Sequence, residues 1–186
     1  MNLVRSLLFV PGHKFQMFQK ALLSGADGLI FDLEDSVPSS EKKLAREQVE
    51  EALREHSSIP RYVRINGFES RESEDWLRAD LRAVIGEGVS GIILPKAESA
   101  DDIQTLDREM QKLESKLEVN SGEIEIVPFI ESARGIHFTY DILTSSSRIG
   151  SVIIGTAEDG DLVTDLGCRW SREGVELLYA RSKVLL

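Results

Sequence analysis

Two periods alternate along the chain. Six short runs, residues 6–10, 28–33, 62–65, 91–94, 125–130 and 151–154, are nearly continuous in apolar and β-branched residues. Runs that do not alternate with polar positions predict parallel strands covered on both faces. Between them the apolar positions recur at helical spacing. That spacing predicts helices over 14–23, 39–56, 75–85, 101–117, 133–143 and 173–186. In the second helix Leu44, Val49, Ala52 and Leu53 form the apolar stripe and Ser39 or Ser40 can cap the start. Gly86 and Gly88 end the third.

A strand–helix unit repeated six times predicts a parallel α/β fold, either an open doubly wound sheet or a barrel. No G-x-G-x-x-G or P-loop follows a strand, which removes the usual signature of the open sheet. Polar residues instead gather at the C-terminal ends of many strands: Asp32, Glu34 and Asp35; Arg64 and Asn66; Lys96; Glu131; Glu158 and Asp159. A TIM-type (β/α) barrel builds its site from several strand ends in this way, whereas a doubly wound sheet uses one switch point. The expectation is therefore a single (β/α) barrel domain over residues 1–186. Six units do not close an eight-unit barrel, so either the chain is a fragment or two units come from elsewhere.

Composition narrows the function. Apolar residues make up 41% and charged residues 29%, an ordinary globular mix. The net charge of -10, with no basic stripe, argues against nucleic acid as a partner. The apolar runs are of strand length, so no membrane span is expected. The opening "MNLVRSLLFVPG" reads as the first strand rather than a leader. Cys168 is the single cysteine, and no Cys/His cluster is spaced for zinc; a reducing, cytoplasmic setting follows.

Glu131 and Asp159 each follow an apolar strand directly, on consecutive strands. Two carboxylates at neighbouring strand ends suit Mg²⁺, which takes few protein oxygens and keeps positions for water and substrate. Each could instead cap the next helix. The stretch "AEDGD" also offers Glu158 and Asp161, and the pattern does not choose among them. Arg64 in "YVRING" can fork onto a substrate carboxylate or pair internally with Glu34 or Asp35. Lys96 after "GIILP" can serve an anionic substrate or a structural ion pair; the surrounding carboxylates argue against a Schiff-base amine. His13, His56 and His137 read as loop, packing or solvent residues, Cys168 as structural, and the charges of 41–55 as a solvated helix face.

Taken in order, "RSLLFVPG", "GLIFDLEDSVP", "KKLAR", "VRIN", "GIILPKAES", "FIESARG" and "GTAEDGDLVTDLG" resemble the citrate lyase beta subunit family, within the HpcH/HpaI aldolase superfamily. The resemblance covers the whole chain. It implies a TIM barrel that binds Mg²⁺ and makes or breaks C–C bonds by Claisen-type chemistry on CoA or acyl-carrier thioesters and keto acids. It also implies roles: Glu131 and Asp159 as metal ligands, Arg64 on the keto-acid carboxylate, and Glu34 and Asp35 as an acidic pair holding the metal's waters. Lys14 and Lys20 fall where basic residues approach the thioester's phosphates, with Lys14 in place of a more usual arginine, and Lys96 is the lysine of the "LPK" turn.

Two departures stand out. "GTAEDGDLVTDLG" is about two residues longer than the usual family form, which leaves Asp161 as an alternative ligand. The chain is also shorter than family members, which implies that the last two βα units and a C-terminal segment are missing; in some relatives that segment places a catalytic aspartate over a neighbouring subunit's site. The implied function is a Mg²⁺-dependent lyase acting as a homo-oligomer. Alternatives are a class II pyruvate aldolase, a malyl-thioester hydrolase, or a non-catalytic incomplete barrel that binds a ligand.

Overall fold

The computed structural model describes residues 4–120 and 122–186. Six parallel strands form one sheet: β1 Leu7–Pro11, β2 Gly28–Asp32, β3 Arg61–Arg64, β4 Gly91–Leu94, β5 Glu125–Ile130 and β6 Ile153–Ile154. They pair strictly in chain order, β1 to β6. A doubly wound sheet would reverse direction at a switch point. This one keeps turning the same way, as a curled half-barrel with β1 and β6 at its edges. The sixth strand is shorter than its apolar run suggests, because only Ile153 and Ile154 pair with β5.

The strands serve two cores. Ile30, Ile93 and Val127 pack on the concave face with Leu7, Tyr62, Phe129 and Ile153. The alternate positions, among them Leu29, Phe31, Val63, Ile92 and Ile126, join the helices in the larger outer core. Burial on both faces explains why the strands read as continuous apolar runs.

The helices are α1 Phe15–Leu22, α2 Lys42–Arg54, α3 Arg71–Val84, α4 Ala100–Leu117, α5 Ala133–His137, α6 Thr139–Leu143, α7 Asp161–Asp165 and α8 Leu178–Leu185. Helix α3 begins ahead of the expected 75 because the Ser70 side chain caps it, accepting from the Ser73 N–H. The expected helix over 133–143 is broken at Phe138. There the Thr139 hydroxyl turns back onto the carbonyls of Gly135 and Ile136. Helix α7 was not expected; five residues are too few to show a period. The expected helix over 173–186 has its α-helical part only from Leu178, after a 3-10 turn.

Two buried arginines close the N-terminal ends of the strands. Arg61 donates to the carbonyls of Ala52, Leu53 and Glu55 at the end of α2, and to that of Gly88. Arg148 forks onto Glu114 at 2.8 and 2.6 Å and also donates to Asp107 at 2.7 Å. In a barrel this end serves stability, and the opposite rim carries chemistry.

Candidate active site

At the C-terminal rim the register sets Asp32 of β2 directly beside Arg64 of β3. Their side chains meet as a two-pronged pair, Nε to Oδ1 at 2.8 Å and Nη2 to Oδ2 at 2.7 Å. The Asp32 carboxylate also accepts the N–H groups of Glu34 and Ser36, which turns the chain sharply after β2. That turn brings Glu34 and Asp35 to the remaining side of the same arginine, 2.9 and 3.3 Å from Nη1. The Phe9 ring lies 5.1 Å from the guanidinium carbon. Arg64 is thus fixed in direction by one buried partner and faces two more acids.

The turn is clamped from behind. Lys42, in the first turn of α2, is buried and spends its ammonium on the carbonyls of Leu33 and Glu34 and on Asn66 Oδ1, at 2.7 to 2.8 Å. Asn66 donates in turn to Leu33 O and to Asp80, which Arg46 holds on its other oxygen. Lys42 and Arg46 are therefore not part of a solvated helix face, as their position in a charged run suggested. Asp80 had one sequence signal, a charge in the Leu77–Leu81–Val84 stripe of α3.

A second group sits just past the ends of β4 and β5. The Lys96 N–H donates to Glu131 Oε1 at 3.0 Å, and Lys96 Nζ lies 3.2 Å from Asp161 and 4.0 Å from Glu69. A polar cavity of about 280 Å³ opens beside it, lined among others by Glu34, Asp35, Lys42, Glu69, Trp76 and Lys96.

The charges are strongly coupled. Burial pushes the Glu34 carboxyl up to about 8; Arg64 opposes the shift and the neighbouring Asp35 adds to it. Burial likewise lifts Glu131 to about 7 against the Lys96 N–H and Arg64, with the Asp161 charge adding to the rise. Burial resists ionisation of Asp32 too, but hydrogen bonds and charge from Arg64 outweigh it and hold this carboxyl below its usual value. These influences tie the two groups together: Arg64 acts on Glu131, and Glu34 acts on Lys96.

The other expected residues lie around this centre. Asp159 is exposed on the loop before α7 and has no hydrogen bond or ion pair among the described residues; Asp161, two residues on, is the one whose charge reaches Glu131. Lys14 precedes α1 and Lys20 lies within it; both are exposed and unpaired among the described residues. His13 is mostly buried, with Nε2 3.7 Å from Glu41. His56 is exposed beyond the end of α2, and His137 is stacked edge-on to Phe138. Cys168 is a free thiol in the turn after α7.

The profile of the HpcH/HpaI aldolase/citrate lyase family matches residues 5–186. The chain belongs to that family. It is 36% identical over 183 residues to the citrate lyase subunit beta of Escherichia coli K12, covering 97% of this chain and 58% of that protein. It is 30% identical over 168 residues to a (3S)-malyl-CoA thioesterase of Cereibacter sphaeroides, covering 89% and 52%. Thus it spans less than two thirds of the length of these curated relatives. Among solved structures, the M. tuberculosis citrate lyase beta subunit complexed with oxaloacetate and magnesium superposes with a TM-score of 0.71 at 26% identity, over 100% of this chain and 75% of that one.

The rim suits a divalent cation. Asp32, Glu34, Asp35, Glu69, Glu131 and Asp161 gather around Arg64 and Lys96, so acids outnumber bases. Burial leaves Glu34 and Glu131 short of counter-charge, and a hard cation would supply it. Among the described residues no three His, Cys, Asp or Glu side chains are grouped to hold an ion by themselves. Mg²⁺ needs only one or two carboxylates, the rest being water and substrate.

Proposed function

We propose that this chain carries the site of a Mg²⁺-dependent carbon–carbon lyase of the citrate lyase beta type. It would cleave a citryl-, malyl- or related hydroxyacyl thioester to a keto acid and an acyl thioester. The observation that carries this reading is the Asp32–Arg64 fork, fixed in direction and electrostatically coupled to buried Glu131 on the same rim. The relatives support the chemistry, since one is a citrate lyase subunit and a related structure contains oxaloacetate and magnesium.

Glu131 and an aspartate of the "AEDGD" loop would hold the metal. Family resemblance favours Asp159, whose carboxylate is unengaged; the electrostatics favour Asp161. Bound there, the metal would polarise the keto carbonyl. Arg64 would orient the keto-acid carboxylate and stabilise negative charge developing as the C–C bond breaks. Glu34 and Asp35 would hold water at the rim, and Lys42 keeps their backbone in place. Lys14 and Lys20, free of partners, would meet the phosphates of a CoA or carrier thioester, and Lys96 the anionic substrate. Self-association is part of the reading, as the family resemblance implies. CoA chemistry and a lone cysteine suit the cytoplasm. No described helix is long and apolar enough to cross a membrane.

The test is to offer citryl-, malyl- and citramalyl-CoA with and without Mg²⁺, following keto acid and free CoA separately. Metal-dependent keto-acid release supports the lyase. Free CoA without acyl-thioester product would move the reading to the thioesterase relative. No turnover and no keto-acid binding would sink it. Asp159→Asn and Asp161→Asn, compared for metal affinity, identify the second ligand by the larger loss.

A further inference from the structure

Among the described residues only Lys96 and Glu118 combine a side chain with a positive φ, +46° and +56°. Glu118 ends α4, where a left-handed residue is ordinary. Lys96 has no such excuse. Glycine would adopt this conformation freely, and a long side chain adopts it at a cost. Strain of this kind points to a site where surrounding contacts impose it.

Those contacts are specific. The left-handed backbone presents the Lys96 N–H to Glu131 Oε1 at 3.0 Å. The same residue sends its ammonium to Asp161 Oδ2 at 3.2 Å. One residue therefore touches the buried glutamate with its backbone and the first aspartate of α7 with its charge. Glu69 lies 4.0 Å from the ammonium, so the flexible stem has a second partner when it leaves Asp161.

We propose that the Lys96 ammonium is a built-in counter-ion of the metal site, which a divalent cation must displace from the Glu131–Asp161 region in order to bind. The inference rests on the metal reading above and adds an antagonist to it. Two cations cannot share the same carboxylate neighbourhood without repulsion, so the lysine lowers metal affinity while it balances the acids of the metal-free site. Its backbone contact to Glu131 is independent of the side chain and survives substitution.

The test is a Mn²⁺ titration by electron paramagnetic resonance or calorimetry, which needs no turnover. Lys96→Met and Lys96→Gln should bind Mn²⁺ about fivefold more tightly than wild type, the scale of a partly exposed ion pair. Two variants guard against one failing to fold. Lys96→Arg keeps the charge and should stay within about twofold of wild type by the same argument. If wild type binds Mn²⁺ and neither Met nor Gln tightens it, the counter-ion role is overturned and the metal reading stands. Equal tightening by Arg also overturns the role, since charge would not be the cause. If no variant and no wild-type protein binds Mn²⁺, both readings fall.

Discussion

Replacing Asp32 by alanine tests whether the Arg64 fork is what holds the rim. Asp32 is 1% exposed. Its two oxygens take two guanidinium bonds and two backbone N–H groups. Removing one partner of a buried ion pair costs about 3–5 kcal/mol, because the other charge is left uncompensated. Here Glu34 and Asp35 remain on Nη1, so the lower end, about 3 kcal/mol, is expected. For a chain of this size that is a fall in Tm of roughly 6–12 °C. Urea unfolding followed by circular dichroism would read it as a shift in midpoint at unchanged slope. The pH dependence gives a second check. The folded-state pKa lies below the usual 3.8, so the stabilisation is complete above that value and is lost as pH falls through the lower folded one. The gap between wild type and Asp32→Ala should persist through neutrality and close only in that acid range. A loss under about 1 kcal/mol, or a gap that closes near neutrality, would refute the reasoning.

Arg64→Ala should lower C–C cleavage at least about a hundredfold, the scale of losing one preorganised donor; near-normal turnover removes it from the mechanism. Arg148→Met at the opposite end removes the two-pronged bond to Glu114 and the bond to Asp107, which keeps Ser146 and Gln111, and should cost about 3 kcal/mol in chemical unfolding without changing Mn²⁺ affinity. Gly88→Ala should lose more than about 2 kcal/mol by the same measurement, because φ is +90° and a Cβ would lie 2.2 Å from the Leu53 carbonyl oxygen.

Much of the architecture is legible in the sequence because parallel strands buried on both faces leave continuous apolar runs. Helix boundaries were less so. The start of α3 depends on one serine cap followed by a polar turn, and α7 is shorter than two helical turns. At the site, Arg64, Glu34, Asp35, Glu131 and Lys96 were visible as polar residues at strand ends. Their pairing was not: Arg64 met Glu34 and Asp35 as its internal reading allowed, but its main partner is Asp32, chosen by strand register. Lys42 escaped notice because a lysine in a charged helix looks solvated, and only the fold shows that it clamps two carbonyls beside the rim. The "AEDGD" loop stayed ambiguous because carboxylates two residues apart differ only in where the loop points them.

The most direct test of the central claim is a crystal structure of the protein soaked with Mg²⁺ and oxaloacetate. The account predicts one cation bound by Glu131 and one aspartate of the 157–161 loop, with Arg64 on the keto-acid carboxylate. A keto acid bound away from Arg64, or a cation with no contact to Glu131, would contradict it.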